Sequence, residues 1–170
     1  MVDVRDEWFD VVDEHDHVIC QKQRSEVHES RMLHRAVHIF VYRADGRLLI
    51  HKRPRSKEEF PGVWTSSACG HVSAGENYTA AAVRELTEEL GVSSPLRRCQ
   101  KFQACPETSM EFTVLYECQW NREISPDPDE IEQVRWVKTD ELVAEIQANP
   151  HVFSPAFRLL FGWHCQSQNS

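Results

Sequence analysis

The sequence predicts a single α+β domain: a mixed β-sheet sandwiched between helices and entered through an N-terminal β-hairpin. Three observations lead there. At 170 residues the chain is long enough for one packed core and too short for two. Short apolar runs bounded by turn residues are interleaved with amphipathic stretches, without the strict alternation of a parallel α/β fold. Hydrophobic residues make up 41% and charged residues 27%, the balance of an ordinary globular domain.

The elements follow in order. Trp8 to Asp13 and Val18 to Lys22 read as two strands joined by the polar turn Glu14 to His17, a hairpin extension within residues 1–30. Ala36 to Tyr42 is a strong strand, and Asp45-Gly46 turns it into Leu48 to His51. Lys52 to Gly62 is a charged loop, and Trp64 to Ala68 is extended. Gly75 to Gly91 is the clearest helix, Ala-rich at its centre and stopped by Gly91. Lys101 to Cys105, Phe112 to Cys118 and Val134 to Val137 are further strands. Thr139 is expected to cap a helix running to Ala148, and Ser154-Pro155 to open a last short one with Phe157, Leu160 and Phe161 as its stripe. The tail, Gln166 to Ser170, reads as polar and frayed.

Composition excludes several classes of function. Lys+Arg is 19 and Asp+Glu is 27, a formal charge of -8. Nucleic-acid polymers and anionic membrane surfaces both demand clustered cations, so neither is an expected partner. A small anionic substrate stays open, because a bound divalent metal reverses the local charge. No apolar run reaches transmembrane length, and MVDVRDEWFD is not a secretory leader. The six cysteines are irregularly spaced and form no C-x-x-C. They read as reduced thiols in a cytoplasmic protein.

The chemistry lies in Gly70 to Val92, GHVSAGENYTAAAVRELTEELGV. As a helix, it gathers Glu85, Glu88 and Glu89 at i, i+3 and i+4 on one face, with Ala82, Val83, Leu86 and Leu90 on another. Like charges at this spacing repel by a few tenths of a kcal/mol. They also occupy the last turns, where the helix dipole prefers cations. Arg84 offsets part of that cost, and a hard divalent cation with oxygen ligands offsets the rest.

Gly70, Glu76, Arg84, Glu85, Leu86, Glu88, Glu89, Gly91 and Val92 reproduce G-x5-E-x7-R-E-U-x-E-E-x-G-U (U aliphatic) without mismatch. That pattern resembles the signature of the Nudix hydrolases. At average residue usage a chance match is on the order of 10⁻⁹ per start position. The resemblance implies a Nudix fold across one domain, residues 1–170, with 70–92 as its catalytic loop and helix. It implies Mg²⁺ or Mn²⁺ on Glu85, Glu88 and Glu89 with the Gly70 carbonyl. Arg84 would orient Glu85, and Glu76 would brace the loop and the metal site. The implied reaction is hydrolysis of a diphosphate linkage in a small nucleoside-diphosphate-type or related metabolite. Glu85 is the preferred general base, with Glu107 and Glu111 as alternatives from a later loop.

The flanks are also similar to isopentenyl-diphosphate isomerases, which carry W-x-x-S-x-C-G-H where this chain has Trp64 to His71. That resemblance makes Cys69 and Glu111 proton-transfer groups in an isomerase, Glu111 and His71 metal ligands, and His28 and His34 further ligands. The chain departs from it at Ser109, where the isomerases place a second glutamate, and in its complete hydrolytic box. His34-Arg35-Ala36 matches isomerase-like bacterial Nudix hydrolases, in which Cys69 is a small buried residue. Arg53, Arg55 and Lys57 are candidate phosphate contacts, and Trp64 and His71 candidate substrate contacts. Ser66 and Ser67 have no hydrolase context and take no nucleophilic role. Three functions therefore stand: a hydrolase, an isomerase as runner-up, and a catalytically silent binding module. A homodimer through the hairpin is the one assembly the sequence suggests.

Overall fold

The structure, a computed structural model, describes residues 7–168. The first six residues of the acidic N-terminal stretch and the last two of the polar tail lie outside the described residues. The chain opens with the expected antiparallel hairpin, β1 (Trp8–Val12) and β2 (Val18–Gln23), and continues into a helix of six residues, α1 (Arg24–Glu29). Six residues are too few to show a helical period, and α1 therefore has no signature in the sequence pattern.

The main sheet has seven strands. They are β3 (His34–Tyr42), β4 (Leu48–Lys52), β5 (Trp64–Thr65), β6 (Ala68–His71), β7 (Arg97–Phe102), β8 (Glu111–Gln119) and β9 (Gln133–Val137). Between and after them run α2 (Tyr78–Leu90), α3 (Thr139–Ala148) and α4 (Pro155–Gln168). Strand β3 is the spine, parallel to β8 along its length and antiparallel to β6 over Ala36–Ile39. It meets β4 only at Tyr42.

Alternation along β3 assigns its two faces. Val37, Ile39 and Val41 pack with Ala81, Ala82, Leu86 and Leu90 of α2. Phe40 packs on the other side with Leu142 of α3 and Phe157, Leu160 and Phe161 of α4. The mixed sheet between helices is therefore as the sequence predicted.

Several local expectations shift. Strand β7 ends at Phe102, so Lys101 to Cys105 was placed too far along the chain. The segment 64–68 breaks into β5 and the start of β6. Helix α2 begins only after Asn77, whose side chain accepts the Ala80 N–H (2.9 Å). Val83 is half exposed and leaves the apolar face to Ala81. Lys138, not Thr139, stands at the N-cap of α3, and no side chain caps it. Helix α4 is not short: it runs 14 residues and absorbs the part of the tail expected to fray.

Ser67 explains how β3 and β4 diverge without leaving orphaned backbone. Its Oγ accepts the Val41 N–H (2.8 Å) and donates to the Leu49 carbonyl (2.6 Å), bridging the gap at no exposure to water.

Candidate active site

Helix α2 and strand β6 hold the glutamates. Gly70 pairs with Val37, whose side chain lies in the α2-side core, so the side-chain-free face of Gly70 is turned toward α2. The Glu85 carboxylate occupies that space: a Cβ on Gly70 would stand 2.2 Å from Glu85 Oε1. Glu89 Oε2 accepts the Cys69 N–H (3.0 Å). Burial pushes Glu85 up to about 7 against the pull of Arg84. Burial, then the charge of Glu85, raises Glu89 well above the ordinary carboxylate range. Two adjacent buried carboxylates with this cost are a donor set that suits a divalent cation.

The third glutamate stands apart. The Glu88 side chain is 60% exposed and pairs with Arg84 at 3.3 Å. Arg84 is the hub of the box. Its Nε and one terminal nitrogen clamp Glu76 (3.0 and 2.9 Å), and the other donates to Glu85 (2.6 Å). It also donates to the His71 carbonyl (3.0 Å), tying α2 to the end of β6. Glu76 further accepts the Ser73 N–H (3.0 Å). Its geometry is thus that of the loop brace, with both oxygens engaged.

On the other face of β6, residues from four elements converge. His28 of α1, His34 of β3, His71 of β6 and Glu111 of β8 offer ligand atoms all within 4.8 Å of one another. Register does this: His34 is opposite Glu111, and Ala36 opposite His71. Glu111 Oε1 lies 3.0 Å from His71 Nε2 and 3.3 Å from His34 Nε2. Burial opposes its ionisation, yet His34 and His71 hold Glu111 well below the usual carboxylate range. His34 Nδ1 donates to the Met32 carbonyl (2.8 Å), which fixes the ring with Nε2 turned toward Glu111. Burial, then the neighbouring His71 and His34, pushes His28 down to about 4. The Nε2 atoms of His28 and His34 are buried without a hydrogen-bond partner. Unpartnered buried nitrogens beside a carboxylate fit a divalent ion accepting both nitrogen and oxygen.

Phe9 of β1 roofs this cluster, its ring centroid 4.6 Å from that of His71 and 5.5 Å from that of His34. Asp10 accepts the Gly75 N–H (2.9 Å), and Asp16 binds Arg35 and Tyr78 (2.6 and 2.9 Å). The hairpin is thereby fastened to the body and builds one wall of the site.

A cavity of about 90 Å³ opens beside the cluster. Cys69, His71, Ser109 and Glu111 line it, as do Arg24 and Arg53. Burial pushes the Cys69 thiol up, so it is held neutral. The turn feeding Glu111 carries two consecutive left-handed residues, Ser109 (φ 54°) and Met110 (φ 65°), a strained conformation at a site wall. Glu107 is exposed on the same short turn, which Ser109 ends, and of the two late candidates only Glu111 lines the cavity. Lys57 is paired with Glu130 (2.6 Å). Neither Lys57 nor Arg55 is among the described residues that line the cavity, and Trp64 packs beneath the Arg135 guanidinium (4.6 Å). Phe9, Arg24 and His38 escaped the sequence reading. A period-two count from His34 through Ala36 to His38 is the signal that places the last of them on the site's face.

Residues 32–157 match the family model for the NUDIX domain, and the chain belongs to that family. It is 35% identical over 158 residues to the isopentenyl-diphosphate Delta-isomerase 2 of Photorhabdus laumondii, covering 90% of this chain and 89% of the relative. It is 31% identical over 151 residues to the prenyl-diphosphate phosphatase of Methanosarcina mazei, covering 86% and 88%. The crystal structure of DR0079 from Deinococcus radiodurans superposes with a TM-score of 0.75 at 30% identity, covering 84% of this chain and 90% of that one. Among the described residues, no helix is long and apolar enough to cross a membrane.

Proposed function

We propose that the protein is a Mg²⁺- or Mn²⁺-dependent hydrolase that cleaves a diphosphate linkage in a small metabolite. The observation that carries this reading is the buried pair Glu85 and Glu89, seated against the backbone of Gly70 and Cys69. With the Gly70 carbonyl they would hold the cation, Glu88 would add a carboxylate from the solvent side, and Glu76 acts through Arg84. When bound, the cation neutralises charge on the phosphate oxygens.

The chain's own groups do the rest. Arg24 and Arg53 line the cavity and orient the diphosphate. Glu85 takes a proton from the attacking water as the new P–O bond forms; the old P–O bond breaks with its electron pair left on the departing phosphate oxygen, and Glu85 then releases its proton to solvent. The imidazoles and Glu111 would hold a second divalent ion.

A second reading is isopentenyl-diphosphate isomerisation, favoured by Cys69 and Glu111 lining one cavity and by the name of the Photorhabdus relative. The cavity wall argues against it: among the described residues that line it, Phe60 is the one phenyl, phenol or indole ring, a thin screen for a carbocation-like intermediate. A phosphate-release screen over prenyl diphosphates, nucleotide sugars and nucleoside diphosphate derivatives with Mg²⁺ and Mn²⁺ tests the proposal. Glu85→Gln is expected to abolish phosphate release and Cys69→Ala to change it less than about threefold. Conversion of isopentenyl diphosphate that is lost in Cys69→Ala would establish the isomerase instead. Binding without either reaction would leave the silent module.

A further inference from the structure

His38 is a buried histidine that neither the glutamate pair nor the imidazole cluster uses. It lies four residues along β3 from His34 on the same face, about 13 Å away at strand rise. Its antiparallel partner is Cys69, and both side chains line the cavity. His38 Nδ1 is hydrogen-bonded to the buried Ser66 Oγ (2.7 Å), so Nε2 is the nitrogen left for a ligand. Around it the wall is small and hydroxylated: Ala36, Ala156, and the mutually hydrogen-bonded Thr65 and Ser154 (2.9 Å).

Two features of this end decide what it can take. The cavity, at about 90 Å³, is far below the roughly 300–1,000 Å³ that encloses a drug-sized ligand. It is open on one side, so it encloses a short chain and leaves a nucleoside in solvent without contacts from this wall. An imidazole held at one nitrogen, beside two hydroxyls, rewards a ligand atom that hydrogen-bonds. A bare hydrocarbon chain offers none.

We propose that the substrate is the diphosphate of a compact alcohol bearing a further hydrogen-bonding group, and that His38 recognises that group. This deepens the hydrolase reading and rests on it for the direction of catalysis, though binding alone tests it.

The experiment compares dimethylallyl diphosphate, its terminally hydroxylated analogue and ADP-ribose as substrates of the full chain with Mg²⁺. In parallel, dissociation constants are measured for the methylene-bridged, non-hydrolysable analogues of the first two. The expected result is an advantage of about tenfold in kcat/KM and in Kd for the hydroxylated compound over dimethylallyl, the worth of one good hydrogen bond. ADP-ribose is expected to be turned over more slowly than either. His38→Phe should bring the hydroxyl-to-hydrocarbon ratio close to one. Ser66→Ala, which frees the ring without removing it, should narrow the ratio and guards against a His38 variant that fails to fold. Equal use of the two short diphosphates by the wild type, preference for ADP-ribose, or a folded His38→Phe protein that keeps the ratio would each overturn the proposal. Should no diphosphate be hydrolysed, the hydrolase reading fails, while the ratio of dissociation constants still decides the role of His38.

Discussion

Replacing Gly70 by alanine adds one methyl group where the structure leaves no space for it. The new Cβ would lie 2.2 Å from Glu85 Oε1, 2.3 Å from its Cδ and 2.6 Å from Oε2, against an ordinary contact of 3.4–4 Å. The carboxylate must therefore retreat by about 1 Å or more, which breaks its 2.6 Å bond to Arg84. A displacement of that size at a reacting group costs on the order of 10²-fold in rate. Forcing an extra methyl into a packed site costs roughly 1–3 kcal/mol, or about 2–4 °C in Tm for each kcal/mol in a domain of this size. Turnover of the best diphosphate substrate at saturating Mg²⁺ and a thermal melt measure the two effects. A double-mutant cycle separates them from general damage. In a Glu85→Ala background the clashing atoms are gone, so Gly70→Ala should then cost almost no stability. Activity and Tm of Gly70→Ala close to wild type, or an undiminished stability loss in the Glu85→Ala background, would refute the placement of Glu85 against Gly70.

Other outcomes follow from the same coordinates. Ser67→Ala orphans the Val41 N–H and the Leu49 carbonyl, and should lower stability by roughly 2–4 kcal/mol in urea unfolding. His34→Ala should lose one equivalent of tightly held divalent ion by elemental analysis after dialysis, and an unchanged metal content would remove His34 from the ligand set. Burial pushes His51 from 6.5 down to about 4. The unfolded chain then binds a proton that the folded chain refuses, so stability falls by about 3 kcal/mol as pH drops from about 6.5 to about 4. His38 behaves the same way. His51→Leu should therefore flatten part of that acid-side slope, and an unaltered slope would show that His51 titrates freely.

Legibility in the sequence followed the range of the interaction. The box helix, its Gly91 stop and the strands β3, β4 and β8 were readable because each depends on neighbours a few residues away. The errors were local in the same sense. Thr139 resembles a cap, but the chain enters α3 one residue earlier. Val83 sits at the margin of the apolar stripe, and packing against β3 rotated it outward. The hairpin was visible, but its purpose was not, since nothing local says that Phe9 covers three imidazoles.

Within the site the same division holds. Spacing alone put Glu85, Glu88 and Glu89 on one helix face and named Arg84 as their neighbour, because 3.6 residues per turn leaves no other arrangement. Which of them turn inward, and that Gly70 must lack a side chain for Glu85 to do so, depended on how α2 lies across β6. The gathering of His28, His34, His71 and Glu111 came from α1 and three strands remote in sequence. Helical periodicity is a property of the chain itself, whereas strand register is chosen by the burial of whole faces, and only the assembled sheet records that choice.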